Sequence, residues 1–89
     1  MSIIKTKQSQ AIIKVLQECN GRSLPVRALA TYVNGRIGVP TTFDDIRTHV
    51  ADLVLRGYVE HIVASPLNPA DLEYRITELG MEVPVPSNI

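Results

Sequence analysis

Tryptophan is absent from this chain of 89 residues, cysteine and phenylalanine occur once each, and tyrosine occurs three times. A single cysteine makes no internal disulfide, so the fold cannot rest on a covalent framework, and a reducing cytoplasm is the expected setting. No apolar run approaches the ~18 to 20 residues of a membrane span. Met1-Ser2-Ile3-Ile4-Lys5 is too short for the apolar region of a secretory signal. Net charge is missing too, with 9 Lys and Arg against 9 Asp and Glu. Bulk basicity therefore gives no support to nucleic-acid binding, which usually shows a positive surplus. Soft metal ligands are scarce: Cys19, His49 and His61 stand at no finger or loop spacing, which argues against a structural zinc site. The glycines form no phosphate-binding loop, and Ser9, Ser23 and Ser65 give no Ser-His-Asp arrangement. Neither catalysis nor a cofactor is expected.

What is present is an apolar fraction of 45%, enough for one cooperative core and too much for a disordered chain. The charges are unevenly placed. Six cations and one carboxylate precede Asp44, whereas three cations and eight carboxylates lie from Asp44 onward. Such a split can give a basic face for phosphates and an acidic face elsewhere, or simple dispersal over the surface.

Hydrophobic spacing predicts three helices. In the first, Thr6 to Asn20, residues Ile12, Ile13, Val15, Leu16 and Cys19 recur at three-to-four intervals, and Asn20-Gly21 supplies the stop. Ser23-Leu24-Pro25-Val26 reads as a short extended piece, a possible third strand. The second helix starts near Pro25, buries Val26, Leu29, Ala30 and Val33, and is expected to stop at Asn34-Gly35. The third is expected to begin after an N-cap at Thr42 with Asp45 at its third position. It buries Ile46, Val50, Leu53 and Val54, and ends at Arg56-Gly57. The period then changes to two. Tyr58–Val63 and Leu72–Thr77 read as a hairpin whose tip, Ser65 to Asp71, holds two prolines. Beyond Gly80 the alternating prolines predict an extended or frayed tail, giving a domain over 1–80 and a tail over 81–89. The expected core is Ile12, Leu16, Leu29, Val33, Ile46, Val50, Leu53, Tyr58, Tyr74 and Ile76.

The element order, with Ala11 to Cys19, Ser23 to Ala30 and Val50 to Val59, resembles the α+β winged helix-turn-helix of small bacterial or phage regulators. Tyr74-Arg75-Ile76-Thr77-Glu78-Leu79-Gly80 is similar to the Y-x-L-T-x-x-G close of the wing in the MarR and PadR regulator families. The resemblance implies sequence-specific binding of double-stranded DNA in transcription regulation, with the third helix in the major groove and the wing on phosphates or the minor groove. It would place recognition positions at Thr41, Thr42, Asp44, Asp45, Arg47, Thr48 and Ala51, with Lys14, Arg27 and Arg36 among the phosphate contacts. Arg47 suits guanine, and the threonines suit phosphate or base edges.

An alternative of another class is a winged-helix module that binds protein through its acidic second half or the apolar end Met1 to Ile4. Three features favour it. Asp44 and Asp45 bring negative charge to the start of the third helix, Val63 to Tyr74 contains no Lys or Arg, and Asn34 to Pro40 exceeds the turn of a tight helix-turn-helix. Monomer and homodimer remain equally open.

Overall fold

A computed structural model describes residues 6–38, 40–65 and 67–89; Met1 to Lys5, Val39 and Pro66 lie outside the described residues. Thr6 opens the first helix. Its hydroxyl oxygen accepts from the Ser9 N–H at 3.2 Å, satisfying one of the donors that a helix start leaves free. Helix α1 (Lys7–Glu18) buries Ala11, Ile12, Ile13, Val15 and Leu16. It ends as expected, with Asn20 and Gly21 at φ of 54° and 91°, a left-handed pair that turns the chain sharply. Strand β1 (Leu24–Pro25) is the third strand foreseen, paired antiparallel at Leu24↔Tyr74 and Pro25↔Glu73.

Helix α2 (Val26–Ile37) overruns its expected stop by nearly a turn. Asn34 does not cap it, because its carboxamide is bonded to the backbone of Thr41, and Gly35 stays helical. Ile37 gains contact with the core from the extra turn, and Gly38, at φ of 68°, supplies the left-handed cap instead. The connection to the next helix is thereby reduced to residues 38–42.

Helix α3 (Phe43–Leu55) begins where the sequence predicts, with a full capping box. Thr42 Oγ1 accepts from the Asp45 N–H at 3.1 Å, and the Asp45 carboxylate accepts from the Thr42 N–H at 3.4 Å. Its buried stripe is Ile46, Val50 and Leu53.

Strands β2 (Val59–Ser65) and β3 (Asn68–Ile76) form a longer hairpin than expected, irregular between Val63 and Ser65. Residues 68–71, read as loop because of Pro69, belong to β3. β1 reaches only residues 73 and 74, so this end of β3 has a neighbour on one side only and a residue without an N–H is tolerated. The sheet order is β1-β3-β2. A fourth, unforeseen helix, α4 (Glu78–Met81), follows because Thr77 acts as an N-cap, accepting from the Gly80 N–H at 3.0 Å. The expected frayed tail is packed: Val83, Val85 and Ile89 rest on the core. Gln17 Nε2 holds it to α1 by donating to the Gly80 and Val83 carbonyls at 3.0 and 2.9 Å.

The result is a small α+β domain with four helices and a three-stranded antiparallel sheet. Its centre is Ile12, Ile13, Leu16, Leu29, Val33, Ile46, Val50 and Leu53, all fully buried. Each contributes roughly 1.5 to 3 kcal/mol of burial relative to exposure. Tyr58 and Tyr74, expected inside, pack on the edge of this core and are partly buried. No helix among the described residues is long and apolar enough to cross a membrane.

Candidate nucleic-acid interface

The start of α2, the first two turns of α3 and strand β3 meet at a groove of about 470 Å³, lined by Pro25, Arg27, Phe43, Arg47, Leu72 and Tyr74. Arg27 comes from the first turn of α2, which has Pro25 as N-cap and no side-chain cap bond. No side chain caps that helix start, whose first residues line this groove, and Glu73 stands opposite Pro25 in the sheet. Arg47 lies one turn into α3, its side chain 60% exposed, and donates to Asp44 at 3.2 Å. An exposed pair of this kind contributes about 0 to 1 kcal/mol, so an incoming phosphate can displace the aspartate.

The remaining candidates fall into separate places. Thr41, expected at the DNA, is only 6% exposed and its backbone is held by Asn34, so its side chain is not available to a base. Thr42 and Asp45 are exposed but are engaged in the capping box. Thr48 is exposed, with its hydroxyl donating back to the Asp44 carbonyl at 2.9 Å. Arg36 lies off this groove. It pairs with Glu18 of α1 and donates to the Ile89 carbonyl at 3.0 Å, so it ties α1, α2 and the C-terminal segment together. It lines instead a second groove of about 600 Å³ between α1 and α2, with Glu18, Cys19 and Tyr32. Lys14, half-buried on α1, also lies off the arginine groove.

Ion pairing sharpens the charge asymmetry. Arg47, Arg56 and Arg75, the three cations of the second half, pair with Asp44, Asp52 and Glu60. Lys7, Lys14, Arg22 and Arg27 enter no ion pair among the described residues. The uncompensated positive charge thus belongs to α1, the turn after it and the start of α2.

No protein-family model and no curated protein matches this chain. The candidate site accordingly rests on its own geometry.

Phe43, 47% exposed at the first position of α3, was not singled out from the sequence. The signal for it was the Thr42 cap, which fixes the residue after it at the helix start. Tyr74 is brought beside the start of α2 by the pairing of β3 with β1, and Leu72 follows two residues earlier on the same strand. His49, on the side of α3 toward α1, bonds through Nδ1 with Ser9 Oγ at 3.2 Å. No group of three or more metal-ligating side chains occurs among the described residues.

Proposed function

We propose that this chain is a winged helix-turn-helix domain that binds double-stranded DNA as a small transcription regulator, with α3 entering the major groove and the β2–β3 hairpin as its wing. The observation that carries this reading is the convergence of Arg27 and Arg47, from two helices, on one groove at the uncapped start of α2. Two guanidinium groups and a helix start together form a phosphate-binding arrangement, since each favours negative charge and the N–H groups supply donors. The unpaired Lys7, Lys14 and Arg22 extend positive charge along the first half. Phosphate contacts of this kind position the protein, while the exposed face of α3 meets the bases.

A mixed-sequence duplex titrated into the labelled protein, followed by amide NMR, tests this. Shifts at residues 26–28 and 43–51 that fade between about 50 and about 200 mM salt are expected, because phosphate contacts release counterions. An unchanged spectrum at the lower salt concentration would remove DNA as the partner. The second reading, a protein-binding module, is favoured by apolar exposure on the hairpin: Leu67 at its tip is 96% exposed and Val63 48%. It becomes the leading one in that event.

A further inference from the structure

The sheet order β1-β3-β2 leaves β2 at one edge, with no strand on its outer side among the described residues. Its register against β3 fixes which backbone groups face outward. The Tyr58 carbonyl accepts from the Thr77 N–H at 3.1 Å, and the register continues through Glu60↔Arg75 and Ile62↔Glu73. In an antiparallel ladder hydrogen-bonded pairs alternate with non-bonded ones, so the N–H and C=O groups of His61 and Val63 point away from β3. The features that usually guard such an edge are missing. β2 has no proline, lysine or arginine, and its one carboxylate, Glu60, is engaged by Arg75.

Exposed apolar groups lie beyond both ends of the strand. At one end is Leu67 of the hairpin tip, with Val63 on the strand before it. At the other are Leu55, 88% exposed at the end of α3, and the exposed Leu79 of α4. Leu79 stands against Gly57, where a Cβ would lie 3.7 Å from its Cδ2. Counted from Ile62 in the middle of β2, Leu67 and Gly57 are each five residues away, in opposite directions.

We infer that β2 is a self-association edge: two copies of this chain pair antiparallel along β2 about a twofold axis, joining their sheets into one. Such an axis at the middle of the strand sets each residue against the one equally far on the other side in the second copy. It therefore lays the Leu67 tip of each copy on the Gly57, Leu55 and Leu79 end of the other, and gives the His61 and Val63 backbone groups partners. One operation covers the exposed apolar groups at both ends, which favours a second copy over an unrelated strand. Like charge does not oppose the ladder, since Glu60 stays paired with Arg75. Carboxylates neighbour the tip contact in sequence, Asp71 after Leu67 and Glu78 and Glu82 around Leu79, so moderate salt favours association by screening them. About twelve residues a side take part, roughly half of the 20 to 30 of a standard interface, so the dimer belongs to the micromolar-to-millimolar range. No residue lining the arginine groove lies on β2, and the pairing is independent of the DNA-binding reading.

Sedimentation equilibrium of the full chain from about 10 μM to about 1 mM, at about 150 mM salt, tests this when read together with amide hydrogen exchange. The expected result is a monomer–dimer equilibrium in which the His61 and Val63 N–H groups become protected as concentration rises. Leu67→Asp, at an almost fully exposed position that folding does not depend on, should weaken dimerisation at least about tenfold, because both symmetry-related contacts are lost. Arg27→Ala, away from the edge, should dimerise as the parent protein does. A monomer at every concentration would overturn the inference. So would a dimer whose His61 and Val63 amides exchange as fast as in dilute solution, or a Leu67→Asp protein that dimerises unchanged.

Discussion

Asn34 and Thr41 are joined by a double hydrogen bond: the Asn34 carboxamide oxygen accepts from the Thr41 N–H at 2.8 Å, and its Nδ2 donates to the Thr41 carbonyl at 3.3 Å. The side chain of α2 thus completes the backbone of the segment leading into α3. It fixes where the next helix starts, and so where Arg47 stands relative to Arg27.

Replacing Asn34 by Ala leaves the backbone of a buried residue without these partners. The expected cost is about 1 to 3 kcal/mol in urea denaturation, the range for stranding a buried polar group. Asn34→Asp keeps the acceptor, loses the donor and should fall between the two. If Asn34→Ala matched the parent protein, the connection would not depend on this bond.

The capping box predicts a graded response at Thr42. Thr42→Ala should lower stability by ~1 kcal/mol, and Thr42→Ser should restore most of it, since only the hydroxyl acceptor is needed. Thermal melts of the three proteins decide this. Equal midpoints for Ala and Ser would assign the effect to the methyl group instead.

Gly80 has no room for a side chain. A Cβ there would collide with the Tyr58 carbonyl oxygen and lie 2.6 Å from Ile76 Cδ1. Gly80→Ala should therefore destabilise by at least about 1 to 3 kcal/mol, the range for overpacking, because a backbone carbonyl cannot step aside as a flexible side chain can. A Gly80→Ala protein with an unshifted melt would mean that α4 does not pack as described.

Leu53 is fully buried. Leu53→Ala should cost roughly 2 to 5 kcal/mol. That is a large share of the ~5 to 15 kcal/mol that holds a typical domain together. Denaturant midpoints measure it, and a change below that range would place Leu53 outside the core.

At the arginine groove, Arg27→Ala and Arg47→Ala should each weaken duplex binding at low salt and reduce the slope of affinity against salt by about one. Both side chains are exposed, so melting should change little. Anisotropy titrations over a salt series provide the readout. A slope unaffected by both substitutions would rule out phosphate contacts at this groove.

Local chemistry was legible where neighbours in sequence decide the outcome. The Asn20-Gly21 stop, the Thr42–Asp45 cap and most of the buried stripes of α1, α2 and α3 depend on spacings of three or four residues and stand in the structure, although Cys19, Val26 and Val54, expected in those stripes, are only partly buried. The short strand at Leu24 was also readable, from a proline that excludes helix before it. Of the candidate site, Arg27 and Arg47 were named from the sequence as separate residues.

Tertiary contact decided the rest. The end of α2 moved from Asn34-Gly35 to Gly38 because Asn34 found a partner seven residues on and Ile37 found the core. Thr41 was withdrawn from the surface by the same bond, and Arg36 was drawn away to Glu18 and Ile89. The tail, which proline spacing leaves extended, was fixed by Gln17, a residue more than sixty positions earlier. Sequence determined α1 to α3 and the central parts of β2 and β3, because hydrophobic period and capping act over one or two turns, whereas α4 and residues 68–71 of β3 were not read from it. Which cations face one groove, and that Arg36 and Arg75 are taken up by Glu18 and Glu60, was settled only when packing brought distant segments within hydrogen-bond distance.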